Sequence, residues 1–174
     1  HQNESEYFSH LIVYALGKVT AYYACQMYRE VYRLKIYGAI FYNHESEIRP
    51  EEYVTRKITK AVARIYYGKQ KKLYLGDVKA KIDWGYAKDY VEAAYKIMQL
   101  SKPDIFIIAS GKSYSIEYFA KKCFQYVGLN YKNYLRINKK LFRSSKTAPL
   151  IGNTYKARKT FNFKIKTNLD KLIS

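Results

Sequence analysis

Tyr14 and Lys18, in the segment YALGK, are four residues apart, which puts both side chains on one face of a helix and one turn from each other. Tyrosine, with an ordinary pKa near 10, is a poor base at neutral pH. An ammonium group within a few ångströms favours the phenolate, and a tyrosine so placed becomes a usable general acid or base. Spacing alone does not establish such a pair. The chain holds 21 tyrosines and 32 lysines plus arginines, and YREVYRLK and YAKDYVEAAYK give similar spacings. On spacing alone, two ordinary helix residues fit as well.

The elements that would position this pair follow from the hydrophobic pattern. Apolar residues spaced by three and four predict a long amphipathic helix from Leu11 to Arg33. KIYGAIFYN then predicts a buried strand, followed by a polar loop from His44 to Glu52. A second helix is expected over Tyr53–Tyr67, with Ile58, Ala61, Val62 and Ile65 on one side and Gly68 at its end. KKLYLGD reads as a short strand, Gly85–Leu100 as a third helix, and DIFIIAS as an apolar strand. SYSIEYFAKKCFQYVG reads as a fourth helix, starting from a serine cap and ending at Gly128. YLRIN is a weaker extended stretch, and short helices are expected around Thr154–Thr160 and Asn168–Ile173. Helices and strands alternate, so the fold class is α/β. No glycine-rich phosphate loop follows any of these strands.

Composition narrows the function classes. The 174 residues suffice for one domain with a core, and 48% are hydrophobic, which excludes a disordered chain. The apolar run Leu11–Leu16 is far short of a membrane span and lacks the flanks of a signal peptide. Cys25 and Cys123 lie far apart in helical patterns, which reads as two small core residues. Nothing has metal-ligand spacing, and a reduced, cytoplasmic setting is the expectation. The net charge of +18 attracts polyanions, but the basic residues are scattered and form no recognised nucleic-acid motif. A nucleic-acid partner is therefore disfavoured, and a membrane is not expected.

Longer motifs give YALGK a context. YALGKVTAYY, FYNHES…VTRKITKAVARI, LYLGDVKAKIDWGYAKDYVEA, FIIASGKSYSIEYF and KARKTFNFKIKTNL follow one another in order along the chain. Together they resemble the GDP-mannose 4,6-dehydratases, within the extended short-chain dehydrogenase/reductases, and NHES…VTRKI is the most specific match. The resemblance implies a partial Rossmann-like NAD(P)-binding fold, its last helix and strand in residues 1–43. A smaller α/β half in residues 44–174 would mainly bind the nucleotide sugar. The family oxidises C4 of GDP-mannose with NADP, eliminates water across C5 and C6, and returns the hydride to C6.

Carried over by position, the resemblance makes Tyr14 the catalytic base and Lys18 the residue that tunes it, both also meeting the cofactor. His44 and Arg49 fall on cofactor-contacting positions. Asn43 and Lys57 fall on substrate-binding positions, as does Arg143 in the retained part of the family's FRPxEV loop. Asp83 and Trp84 stand where the family has DWG. From the residues themselves, Trp84 reads as core and Asp83 as a turn or cap residue.

Departures from the family pattern accompany these matches. Ile82 replaces the arginine of KRDWG, and Lys146 reverses the charge of the FRPxEV glutamate. The glycine-rich loop and the family's Thr/Ser-Ser-x-Glu segment, with its C5 base, are not in the sequence, which starts at His1. The expected partners are GDP-mannose and either further copies of the chain or a complementing N-terminal Rossmann half. Alone, the chain is expected to be unstable or self-associating, because strand edges would face water.

Overall fold

The computed structural model describes residues 2–4, 13–142 and 150–174. The helix carrying YALGK, α1, runs Val13–Tyr32 and stops where Arg33 takes a left-handed φ of 56°. Among its described residues Val19 alone is buried, although the apolar spacing continues along the helix. Strand β1 (Gly38–Phe41) follows, shorter than KIYGAIFYN suggests and alternately half-buried and exposed. The next three residues correct the sequence reading. Asn43–Glu45 form strand β2 where a loop is expected from His44, because their backbone pairs in parallel with a later strand.

Helix α2 (Val54–Tyr66) buries Ile58, Ala61, Val62 and Ile65 on one face, as the pattern requires, and Gly68 supplies the positive φ of 70° beyond its end. Strand β3 (Leu73–Leu75) leads to β4 (Lys81–Tyr86), then to α3 (Ala87–Met98) and β5 (Ile105–Ile108). The DWG segment thus lies inside a strand and not at the start of a helix. Gly85 belongs to β4, and the third helix begins two residues later than expected.

Strand β6 (Ser113–Ser115) precedes α4 (Ile116–Tyr126), whose first turn is capped by Ser115 accepting from the Tyr118 N–H at 3.0 Å. Ser115→Ala should cost about 1 kcal/mol, readable as a small fall in thermal midpoint. The chain continues through α5 (Tyr131–Tyr134), β7 (Leu135–Ile137), α6 (Tyr155–Phe161) and α7 (Leu169–Ile173).

Among the described residues the strands form three small sheets. β1 pairs with β5 in parallel, β2 with β4 in parallel, and β3 with β7 in parallel, while β6 adds to β4 antiparallel. The chain is therefore α/β with parallel pairing across helical connections. One apolar cluster joins α2 and α4 with Leu73, Leu75, Trp84 and Leu169. A second joins α3 and β5 with Ala157 and Phe163. Trp84 is core, packed on Phe119 at 5.0 Å. Cys123 is buried as expected, and burial pushes its thiol up to about 12, whereas Cys25 is only half-buried. No helix among the described residues is long and apolar enough to cross a membrane.

Candidate active site

Tyr14 sits in the first turn of α1 with 70% of its surface exposed. One turn on, Lys18 places Nζ 5.4 Å from the centre of the Tyr14 ring, so the helix brings the two side chains together. The lysine lies over the ring face, a cation–π contact that keeps the ammonium near the phenol.

His44 and Asn43 are neighbours on β2, where alternation turns them to opposite sides. Asn43 is exposed, opposite Trp84 of β4. His44 is half-buried opposite Gly85, and its Nδ1 lies 2.9 Å from the Tyr42 carbonyl oxygen. Its ring packs against Phe41 at 5.6 Å and Tyr90 at 5.3 Å.

Arg49, in the loop after β2, is engaged on two sides. Its guanidinium lies 3.6 Å from the centre of the Tyr53 ring, and its Nε makes an ion-pair contact of 3.3 Å with Glu45. Buried Glu45 also accepts a 2.5 Å hydrogen bond from the Thr55 hydroxyl, which ties β2 to the start of α2. Lys57 is on the solvent side of α2, exposed. Arg143 lies outside the described residues.

Side chains outside the sequence-predicted site also shape this region. Asp83 is 1% exposed in β4, so it is neither a turn nor a cap residue. Its Oδ1 accepts from the Ser110 N–H at 2.8 Å and the Ser110 hydroxyl at 2.6 Å. Its Oδ2 accepts from the Gly111 N–H at 3.0 Å and the Gly152 N–H at 3.3 Å. Asp89, at the start of α3, accepts from the N–H groups of Lys166 and Thr167 in the same way. These carboxylates fasten loops distant in sequence, a role that no local spacing announces.

Tyr90 is fully buried, and its hydroxyl has no hydrogen-bond partner among the described residues. Burial, with the Asp83 and Asp89 carboxylates nearby, pushes this phenol well above its ordinary range. Tyr90→Phe removes an unsatisfied buried hydroxyl and should raise the thermal midpoint by a few degrees, about 1 kcal/mol. An unchanged or lower midpoint would show that a water satisfies the group. A groove of about 660 Å³ between Glu45, Arg56, Tyr86 and Lys166 is lined by none of the sequence-predicted site residues.

A protein-family model described as GDP-mannose 4,6 dehydratase matches residues 1–174. GDP-mannose 4,6 dehydratase 1 of Arabidopsis thaliana is 41% identical over 172 residues, covering 99% of this chain and 48% of the relative. The human GDP-mannose 4,6 dehydratase is 33% identical over 99% of this chain and 51% of its own length. The chain thus spans about half the length of the curated relatives it matches.

Among solved structures, RMD from Pseudomonas aeruginosa complexed with NADPH superposes with a TM-score of 0.82 at 15% identity, over 92% of this chain and 52% of that one. The dTDP-glucose 4,6-dehydratase of Bacillus anthracis in complex with NAD gives 0.81 at 16% identity, over 99% and 55%. At such identities these two show the fold alone. The ordered motifs from YALGK to KARKTFNFKIKTNL and the match along the whole length agree, and the chain belongs to the GDP-mannose 4,6-dehydratase family.

Proposed function

We propose that this chain is the C-terminal portion of a GDP-mannose 4,6-dehydratase, converting GDP-mannose to GDP-4-keto-6-deoxymannose when a nucleotide-binding half completes it. The observation that carries the reading is the Tyr14–Lys18 pair, held together on α1 inside a chain matched end to end by the family.

The residues present fit the nicotinamide end of an NADP cofactor: a phenol, an ammonium and an imidazole with one ring nitrogen already bound to backbone. They do not include a glycine-rich loop for its pyrophosphate, so that part of the site would come from the completing half. When bound, the cofactor supplies the hydride acceptor at C4 and the later donor at C6. Tyr14 takes the O4 proton as C4 is oxidised, and its exposure leaves the hydroxyl free to meet a sugar. Lys18, over the Tyr14 ring, favours the phenolate form in which Tyr14 can accept that proton. Asn43, Lys57 and Arg143 meet the nucleotide sugar, with Lys57 suited to its diphosphate.

The exposed apolar residues Val13, Leu16, Tyr23 and Val31 of α1 favour burial against another polypeptide, either the completing half or a second copy. A second reading, a non-catalytic nucleotide-sugar-binding remnant, draws on Ile82, which packs against the α2–α4 core where the family has an arginine.

The test is to join the chain in frame to the preceding half of the Arabidopsis relative and to incubate it with NADP and GDP-mannose. Formation of the 4-keto-6-deoxy product supports the enzyme reading. A thermal shift with GDP-mannose but no product supports the remnant, and neither response refutes both.

A further inference from the structure

His44 is held more tightly than a half-buried strand residue needs to be, and the means of holding it constrain its chemistry. A carbonyl oxygen only accepts, so the 2.9 Å contact between Nδ1 and the Tyr42 oxygen requires the hydrogen to sit on Nδ1. Turning the ring over would set a carbon against that oxygen, and two aromatic neighbours oppose the turn. Phe41 lies edge-on at 5.6 Å and 73°, and Tyr90 lies tilted at 5.3 Å and 35°. Phe41 and Tyr90 also touch each other at 5.5 Å, closing a triangle of rings.

Gly85 makes this triangle possible. It is the register partner of His44 across β2 and β4, and a Cβ at that position would stand 2.4 Å from Tyr90 Cε2 and 2.7 Å from its hydroxyl oxygen. With no side chain at 85, the Tyr90 ring reaches past β4 to His44.

We infer that Gly85 and Tyr90 are positioning residues that hold neutral His44 as the Nδ1–H tautomer, so that Nε2 accepts a hydrogen bond from an uncharged N–H or O–H donor on a ligand. A lone pair presented this way selects an amide or hydroxyl and disfavours a phosphate oxygen. That the donor belongs to a nicotinamide cofactor rests on the function proposed above; the tautomer does not.

The chain holds three histidines, His1, His10 and His44, so nitrogen-15 histidine labelling with a His44→Gln control assigns the ring signals. At alkaline pH, two-bond proton–nitrogen correlations distinguish the neutral tautomers. The expected result is the Nδ1–H pattern for His44 in the unsubstituted chain, unchanged in Tyr90→Phe because the ring and not the hydroxyl holds it. Loss of that pattern to a mixture is expected in Tyr90→Leu and Gly85→Ala. An Nε2–H pattern in the unsubstituted chain overturns the inference, and that measurement stands even where a variant fails to fold. A pattern unmoved in folded Tyr90→Leu and Gly85→Ala overturns the positioning roles. Adding NADP to the chain joined to a relative's nucleotide half should shift the Nε2 resonance. No shift with the tautomer intact removes the cofactor assignment alone.

Discussion

Tyr14→Phe, in the chain joined to a relative's nucleotide-binding half, is expected to lower turnover of GDP-mannose by a factor of about a hundred or more, with little change in substrate affinity. The size follows from what a positioned general acid–base group contributes, about 10² to 10⁴ in rate. The selectivity follows from the structure. Tyr14 is 70% exposed on the first turn of α1 and packs into neither apolar cluster, so removing one oxygen leaves the fold untouched. The cation–π contact with Lys18 survives, because phenylalanine keeps the ring face. Thermal midpoint and GDP-mannose binding should therefore match the unsubstituted protein while product formation collapses. Retained turnover would remove Tyr14 from the chemistry. A matching loss of stability would mean that the hydroxyl serves the fold.

Asp83→Asn should lower the stability of this chain by about 3 kcal/mol. An aspartate carboxylate offers two acceptor oxygens, and here each takes two hydrogens: Ser110 N–H and hydroxyl on one side, Gly111 and Gly152 N–H on the other. Asparagine keeps one acceptor and turns an NH₂ toward donors that have nothing to give it. In a 1% exposed position no water can take their place. A fall of roughly 10 °C in thermal midpoint is the measurable form. Ser110→Ala, which removes one donor of the four, should cost about a third as much. Equal midpoints for Asp83→Asn and the unsubstituted chain would show that these contacts exchange freely with water. The effect should reach the Gly152 backbone as well. A Cβ at Gly152 would lie 2.3 Å from the Ala109 Cβ, just past β5, and 3.1 Å from Ile107 of β5, so that backbone is seated with no slack.

Periodicity carried much of the fold. The face of α2 built from Ile58, Ala61, Val62 and Ile65 is buried as spaced, Ser115 caps α4, and Gly68 and Gly128 take positive φ after their helices. These are local consequences of side-chain spacing, capping and the freedom of glycine, and a sequence states them directly. The errors concern pairing. Local pattern places His44 in a loop and Asp83 in a turn or cap, yet both belong to strands because β2, β4 and β6 pair across long stretches of chain, Asn43 with Trp84 and Asp83 with Ser113. Three-residue strands have too little pattern to be read alone.

The candidate site divides the same way. By family resemblance, YALGK, NHES, the loop after it and VTRKI point to Tyr14, Lys18, Asn43, His44, Arg49 and Lys57, and the helical period alone brings Tyr14 and Lys18 onto one face. It cannot require that Arg49 should spend its guanidinium on Glu45 and Tyr53, or that Gly85 should make room for Tyr90 against His44. Nor can it require that Asp83 should gather Ser110, Gly111 and Gly152. The Asp83 and His44–Tyr90 contacts join residues far apart in the chain, and the Arg49 contacts, though local, depend on a loop that no helical or strand period specifies. Local spacing has no term for them, and only the packing of sheets and helices brings their atoms within reach.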